Sequence, residues 1–401
     1  MHRSELSHES REAVVRVLAA AALIIFFQAY LVAPLIPSLA NDLHSTQAII
    51  GLLVPAYTLP YGISTLFYGP LSDRVGRRKV LLILMAVFIL ALLGTATART
   101  GAQLLAWRVV AGLASGGVIP ISLALIGDLF PYKERGRPMG WIFGAIAGGM
   151  AFGSTFGAML NPIIGWRWEF VALAVPAGLV LWFAIRLEHA LHGKASGAQR
   201  NIIATLRGYW ELLQIKRARR AYLYILFNGM FHSGIFSWLG LYFSQRYHLS
   251  DQGIGLALLG YGVPGLMLGP TIGHIADRFG RNRVVPFGLL IAAVSAYVLV
   301  PTMPVLITAA AVTVLSLGYD MSHPLLAGII SSVDPSRVGQ AMGLNAFFVF
   351  MGLGFGSLVF QAVLTRGFTV ALWTFATAQL IAAGLGYVLF RNESPTKTGH
   401  L

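Results

Sequence analysis

Residues 69–78 read Gly69-Pro-Leu-Ser-Asp73-Arg74-Val-Gly76-Arg77-Arg78, a short charged stretch between two long apolar runs. It returns as Gly273-His-Ile-Ala-Asp277-Arg278-Phe-Gly280-Arg281, 204 residues later. The same spacing carries Tyr57 and Pro60 onto Tyr261 and Pro264, and Pro120 onto Pro324, while Met139-Gly140 falls on Met342-Gly343 at 203. Several landmarks at nearly one spacing imply an internal duplication. Each copy of the charged stretch sits at the second apolar run of its half, so the repeated unit is a set of hydrophobic segments joined by short polar turns.

Those segments are long enough to cross a bilayer, which takes roughly 20 apolar residues in a helix. Twelve runs qualify: 14–37, 47–70, 79–98, 103–127, 138–160, 168–187, 220–244, 252–275, 284–301, 304–330, 339–363 and 368–390. The one long polar break, 188–219, separates six from six. The expected organisation is an N-terminal six-helix bundle over 1–187, a linker over 188–219 and a C-terminal six-helix bundle over 220–401. The fold class is therefore all-α, a membrane protein of twelve transmembrane helices in two pseudo-symmetric bundles. Parallel repeats related by an axis along the membrane normal are a transporter architecture, with the substrate site between the halves near the midplane.

Composition agrees. Of 401 residues 56% are hydrophobic and only 11% charged, whereas soluble domains carry charge nearer a quarter. The net charge of +14 is spread over short patches between apolar runs. That suits a membrane surface and excludes a nucleic-acid-binding domain. With the N-terminus cytoplasmic, 24 basic residues fall on inner segments; Arg99, Arg167, Arg246 and Arg366 are the four on outer ones. Both termini are thus expected inside, in a cell inner (plasma) membrane. The first run is too long for a signal-peptide core and reads as a retained span. There is no cysteine, hence no disulfide, thiolate metal site or cysteine nucleophile. Neither a Walker loop nor a His/Cys metal spacing nor a Ser-centred nucleophile elbow occurs. No enzyme activity, cofactor or metal is expected.

The stretch 69–78 resembles the loop between helices 2 and 3 of the major facilitator superfamily. Leu104-x-x-x-Arg108-x-x-x-Gly112 resembles the fourth-helix motif of its proton-coupled members. Asp128-Leu-Phe-Pro131 with Arg135-Gly-Arg-Pro-Met-Gly140 resembles the loop before helix 5, and Trp166-Arg167-Trp168-x-Phe170 the start of helix 6. The resemblance covers residues 14–390 and is similar in flavour to twelve-helix drug:proton antiporters. One departure stands in helix 5. Where antiporters carry Gly-x-x-x-Gly-Pro-x-x-Gly-Gly, this chain has Gly149-x-x-x-Gly153-Ser154-x-x-Gly157-Ala158. The small-residue face is kept and the proline bend is lost.

The resemblance implies a gating role for Gly69, Asp73, Arg74, Gly76 and Arg77, and for Gly273, Asp277, Arg278, Gly280 and Arg281. A carboxylate in such a turn accepts from arginines and from a helix N-terminus, favouring one packing of the halves. The plainer reading is a topogenic charge cluster. Among the fifteen acids only Asp320 lies deep in a span, where a carboxylate is costly and functional by default. His323 follows at i+3, on a shared helix face. The pair either couples protons or merely locks helix 10. His232, with Asn228 one turn before it, is either a proton-coupling group or a packing residue. Arg108 is either a coupling or a structural cation, with Gln28, the backbone or an inward-folded Asp42 as its possible acceptors. The remaining intramembrane polar groups, Gln28, Tyr30, Tyr57, Tyr61, Tyr261, Asn345 and Gln361, together with Asn228, are candidates for the cavity wall. Gly352, Gly354 and Gly356 allow close helix packing.

The function expected is secondary active transport by alternating access, with proton-coupled efflux of small amphipathic or drug-like molecules. The expected partners are that substrate, protons and the lipid bilayer, and the protein is expected to be a monomer. A sugar or other metabolite transporter, or an uncoupled facilitator, is the alternative. A transport-dead sensor or scaffold is disfavoured by the two retained gating motifs.

Overall fold

The computed structural model describes residues 8–131, 134–187 and 202–393, which are helical with no strand among them. Much of the linker, 188–201, lies outside the described residues, as do the ends of the chain, with Arg3, Lys133, Lys194, Arg200 and Lys397.

The first half begins with α1 (His8–Leu31), a 3-10 turn (Ala33–Leu35) and α2 (Ile36–Asp42). It continues with α3 (Gln47–Gly51), α4 (Leu53–Val75), α5 (Arg77–Ala96), α6 (Gly101–Ser115), α7 (Val118–Leu129), α8 (Gly136–Ile164) and α9 (Trp166–Arg186). The linker helix α10 (Ile202–Gln214) leads to α11 (Lys216–Phe236), α12 (Leu239–Tyr247), α13 (Asp251–Ala257), α14 (Val263–Phe279) and α15 (Arg281–Val298). The chain ends on α16 (Val305–Ser331), α17 (Val338–Leu364) and α18 (Phe368–Leu389). Among the described residues nine helical segments are individually long and apolar enough to span a bilayer. The other three expected spans are two broken helices, α11–α12 and α13–α14, and α15, whose first turn holds Arg281 and Arg283.

The repeat seen in sequence recurs as packing. Gly149 and Gly153 on α8 lie against the backbone of α1 at Leu23 and Phe27, where a Cβ would collide. At an offset of 203, Gly352 and Gly356 on α17 lie against the backbone of α11 at Leu226 and Met230. Small residues let two helices approach closely, gaining dispersion contacts that lipid cannot replace. α8 runs unbroken, as expected from the loss of the proline. The charged stretches become matching turns. Gly76 (φ +104°) separates α4 from α5 and Gly280 (φ +89°) separates α14 from α15, a region of φ that residues with a Cβ rarely adopt.

These turns share one face, here the basic face. Arg77 joins Asp73 (3.0 Å) to Asp128 (2.5 Å) and also donates to the Ala124 carbonyl (2.8 Å). The second copy is wired differently. Asp277 and Arg278 are exposed, and Arg281 packs against Gly328, the counterpart of Ala124. Ser332 stands where the offset places Asp128, and the acid comes from elsewhere. Glu393 accepts from Arg217 Nε (2.7 Å) and Nη2 (2.8 Å) and from Arg220 (3.4 Å), and lies within electrostatic reach of Arg281.

The Arg217 hydrogen bonds hold the Glu393 carboxyl below the usual glutamate range. A depressed carboxyl contributes stability above its unfolded value, about 4.3, and loses it as pH falls through the folded value. Glu393→Gln is expected to cost about 1–3 kcal/mol at neutral pH. In thermal unfolding of the purified protein, the gap to wild type should close as pH falls below about 4. A gap that widens on acidification would contradict this account.

Candidate functional site

The two halves meet differently at the two faces. On the face opposite the basic turns the seam is closed. Ser38 donates to Asp251 (2.7 and 2.6 Å), Asn161 Nδ2 donates to Asp251 (2.5 Å), and Gly240 packs on Pro34. Gln361 donates to the Ala48 carbonyl (2.8 Å). Between α8 and the second half, Gly255 meets Thr155 and Met159, and Gly262 meets Ala151. Further toward the basic face, Gly144 and Gly140 on α8, and Gly269 and Gly273 on α14, have open space beside them. At those glycines α8 and α14 make no close backbone contact of the kind seen on the closed side.

At mid-depth lies a cavity of about 30 Å³ between α1, α4, α11 and α17. Its wall is mainly aromatic and aliphatic: Phe26, Tyr30, Tyr57, Phe236, Phe350 and Leu353, with Thr58, His232, Ser233 and Ser237 as polar points. Tyr61 borders it by stacking on Phe350 (3.6 Å, 15°), and Tyr30 packs on Phe236 (5.0 Å).

His232, 2% exposed, links this cavity to a buried polar cluster. Its Nε2 and the Tyr261 hydroxyl share a hydrogen bond of 2.6 Å. Tyr319 stacks on His232 (3.9 Å), and His323 stacks on Tyr319 (5.2 Å). Asp320 sits against Gly265 of α14, where a side chain would otherwise fit, and its Oδ2 is buried without a partner among the described residues. Tyr30, Tyr261 and Tyr319 all lie within electrostatic reach of Asp320. Tyr30 comes from the first half and the others from the second, so the cluster crosses the seam. No hydrogen bond joins Asp320 to His323 among the described residues. The two are close on α16 but face different neighbours.

The other candidates disperse. Asn228 is fixed within the second half, donating to Ser322 (2.8 Å) and accepting from Gln379 (3.2 Å). Gln361 braces the closed seam and is not at the cavity. Gln28 is fully buried with both amide atoms unbonded, and Asn345 Oδ1 is likewise unbonded, among the described residues. Arg108, 1% exposed, donates through Nε to the Leu53 carbonyl (3.3 Å) and lies over the Tyr57 ring (4.4 Å). Asp42 does not fold inward to it, being bound by Arg167 (2.6 Å) and Trp166 (3.0 Å). Sequence reasoning missed Phe26, Phe236 and Phe350 because apolar wall residues look like any membrane residue. It also passed over Glu169 and Asp251, which reads as a loop acid.

The sequence profile of the Major Facilitator Superfamily matches residues 18–267 and 242–400. An uncharacterized MFS-type transporter, YwfA of Bacillus subtilis (strain 168), is 27% identical over 89% of this chain and 86% of its own. The quinolone resistance protein NorA of Staphylococcus aureus (strain COL) is 24% identical over 85% of this chain and 87% of its own. Among solved structures, a D-xylose-proton symporter superposes with a TM-score of 0.77 at 16% identity, over 97% of this chain and 99% of that one.

Proposed function

The chain belongs to the Major Facilitator Superfamily, and we propose that within it the protein is a proton-coupled exporter of small amphipathic or drug-like molecules, working by alternating access. The two bundles, 1–187 and 220–401, would rock about the central cavity, with both termini and the basic face in the cytoplasm. The observation that carries the reading is the cavity wall. Its surface is dominated by aromatic rings with few polar points, which suits a flat apolar ligand. A sugar site would need a denser set of donors and acceptors to replace the hydration of each hydroxyl. The likeness to NorA, a quinolone resistance protein, fits a drug-like substrate. The likeness to a D-xylose-proton symporter keeps sugar uptake as the second reading, and the wall chemistry disfavours it.

Proton coupling would run through the cluster behind His232. Asp320 lies within electrostatic reach of Tyr261, which hydrogen-bonds His232, and of Tyr319, whose ring stacks on both imidazoles. Substrate in the cavity presses on His232, and His232 contacts the ring and the hydroxyl that face Asp320. The test is proton flux in proteoliposomes after adding each member of a panel of aromatic cations, quinolone-like compounds and pentoses. Flux triggered by aromatic amphiphiles and not by pentoses is expected; flux with pentoses alone would overturn the reading. His232→Ala should weaken substrate binding roughly tenfold, the worth of one aromatic contact of about 1.4 kcal/mol, as measured by substrate fluorescence anisotropy. Unchanged binding would remove His232 from the site.

A further inference from the structure

The closed seam contains two acids that the transport site does not use. Asp251 heads α13 and draws together both halves, since its carboxylate oxygens are occupied by Ser38 and Asn161 of the first half. Glu169, in the first turn of α9, sits just beyond the Gly165 turn from Asn161. It is 3% exposed, and neither carboxyl oxygen has a hydrogen-bond partner among the described residues. Asp251 is the charged group that acts on it electrostatically.

The other charged groups of the same face are engaged elsewhere. On α2, Asp42 is bound by Arg167 and Trp166, and Arg167 is thereby occupied. His44 after α2 acts on Asp42. Arg246 on α12 donates to the Leu299 and Val300 carbonyls and to Thr302. Arg99, after α5, is on the exposed rim. An ionised carboxylate without donors in a desolvated site is expensive, and a second carboxylate nearby makes it more so. Asp251 is held by donors, whereas Glu169 has none among the described residues.

We propose that this seam is a proton-operated latch: Glu169 binds a proton as the face closes and returns it to water as the face opens. The ligand is a proton and not a metal ion because Asp251 is surrounded by donors, a hydroxyl and an amide NH₂, where a cation would need further oxygens. The latch is independent of the coupling assigned to Asp320, because it governs which face is shut and not which substrate moves.

The chain has no native cysteine, so labels can be placed without background. Gln47→Cys and Gln245→Cys, whose side chains meet across the seam, would carry spin labels for pulsed dipolar distance measurement in lipid nanodiscs between pH 5 and 9. In this parent the ratio of short to long distances should fall by up to about tenfold per pH unit as the pH rises, the limit for one linked proton. Adding Glu169→Gln, a neutral isostere of the protonated acid, should leave the short distance dominant at every pH. A parent distribution that ignores pH would overturn the proposal without recourse to any gate variant. So would one that follows sodium at fixed pH, or a Glu169→Gln protein whose pH response is intact. Transport is not read in this experiment, so its failure is distinguishable from failure of the export reading.

Discussion

Asp320→Asn should abolish uphill transport driven by a pH gradient while leaving downhill exchange in place. The asparagine keeps the shape of the acid and mimics its protonated form, so the substrate route survives and the proton's does not. The expected loss of gradient-driven accumulation is on the order of 100-fold, the upper range for coupling between two sites. The size follows from position. Asp320 stands against Gly265 with one oxygen unbonded, facing tyrosines from both halves. Its cost as an anion therefore depends on how the halves are disposed, the property a coupling group needs. His323→Ala should shift the pH optimum and keep part of the coupling. The measurement is substrate-linked proton flux in proteoliposomes, wild type against Asp320→Asn, and undiminished flux in the variant would transfer the role to Arg108 or His232.

The second large effect is expected at the basic face. Arg77→Ala removes the guanidinium that joins Asp73 to Asp128 and to the Ala124 carbonyl, leaving two carboxylates facing each other across α4 and α7. Like charges at that separation repel, and the turn holding α4, α5 and α7 together loses its centre. Turnover should fall by roughly 10–100-fold, a coupling loss of about 1.4–3 kcal/mol, with substrate affinity little changed because the cavity is remote. Asp73→Asn should act in the same direction but less, since Asp128 still engages Arg77. Binding by anisotropy and initial transport rates on the same purified protein separate the two quantities. Lost affinity with normal cycling would show that the turn belongs to the binding site.

Much of this was legible in the sequence because it depends on composition and periodicity. The apolar runs, the offset near 204 and the glycine stripes map onto spans, matching turns and paired helix contacts. The helix breaks at Ser237–Trp238 and Leu258–Gly262 were not legible, because hydropathy averages over them. Facing was the weak point. Asp320 and His323 lie about 60° apart around a helix with 3.6 residues per turn, enough to give them different neighbours. Polarity alone puts Gln361 at the cavity, whereas its place three residues before the end of α17 carries it to the seam. Glu169 and Asp251 lie far apart in the chain, and only the tertiary fold makes them neighbours. The relocation of the second turn's acid to Glu393 breaks the repeat and so left no trace in it.

The small volume at the centre has a consequence for the cell's energy economy. A cavity of about 30 Å³ admits two or three waters at roughly 10–15 Å³ each. Rings such as Phe350 and Tyr61, stacked at 3.6 Å, fill the rest. A hydrated ion does not fit in it. In this arrangement the central cavity offers no resting place to a hydrated ion and so no stepping stone for the ion gradients held across the same bilayer.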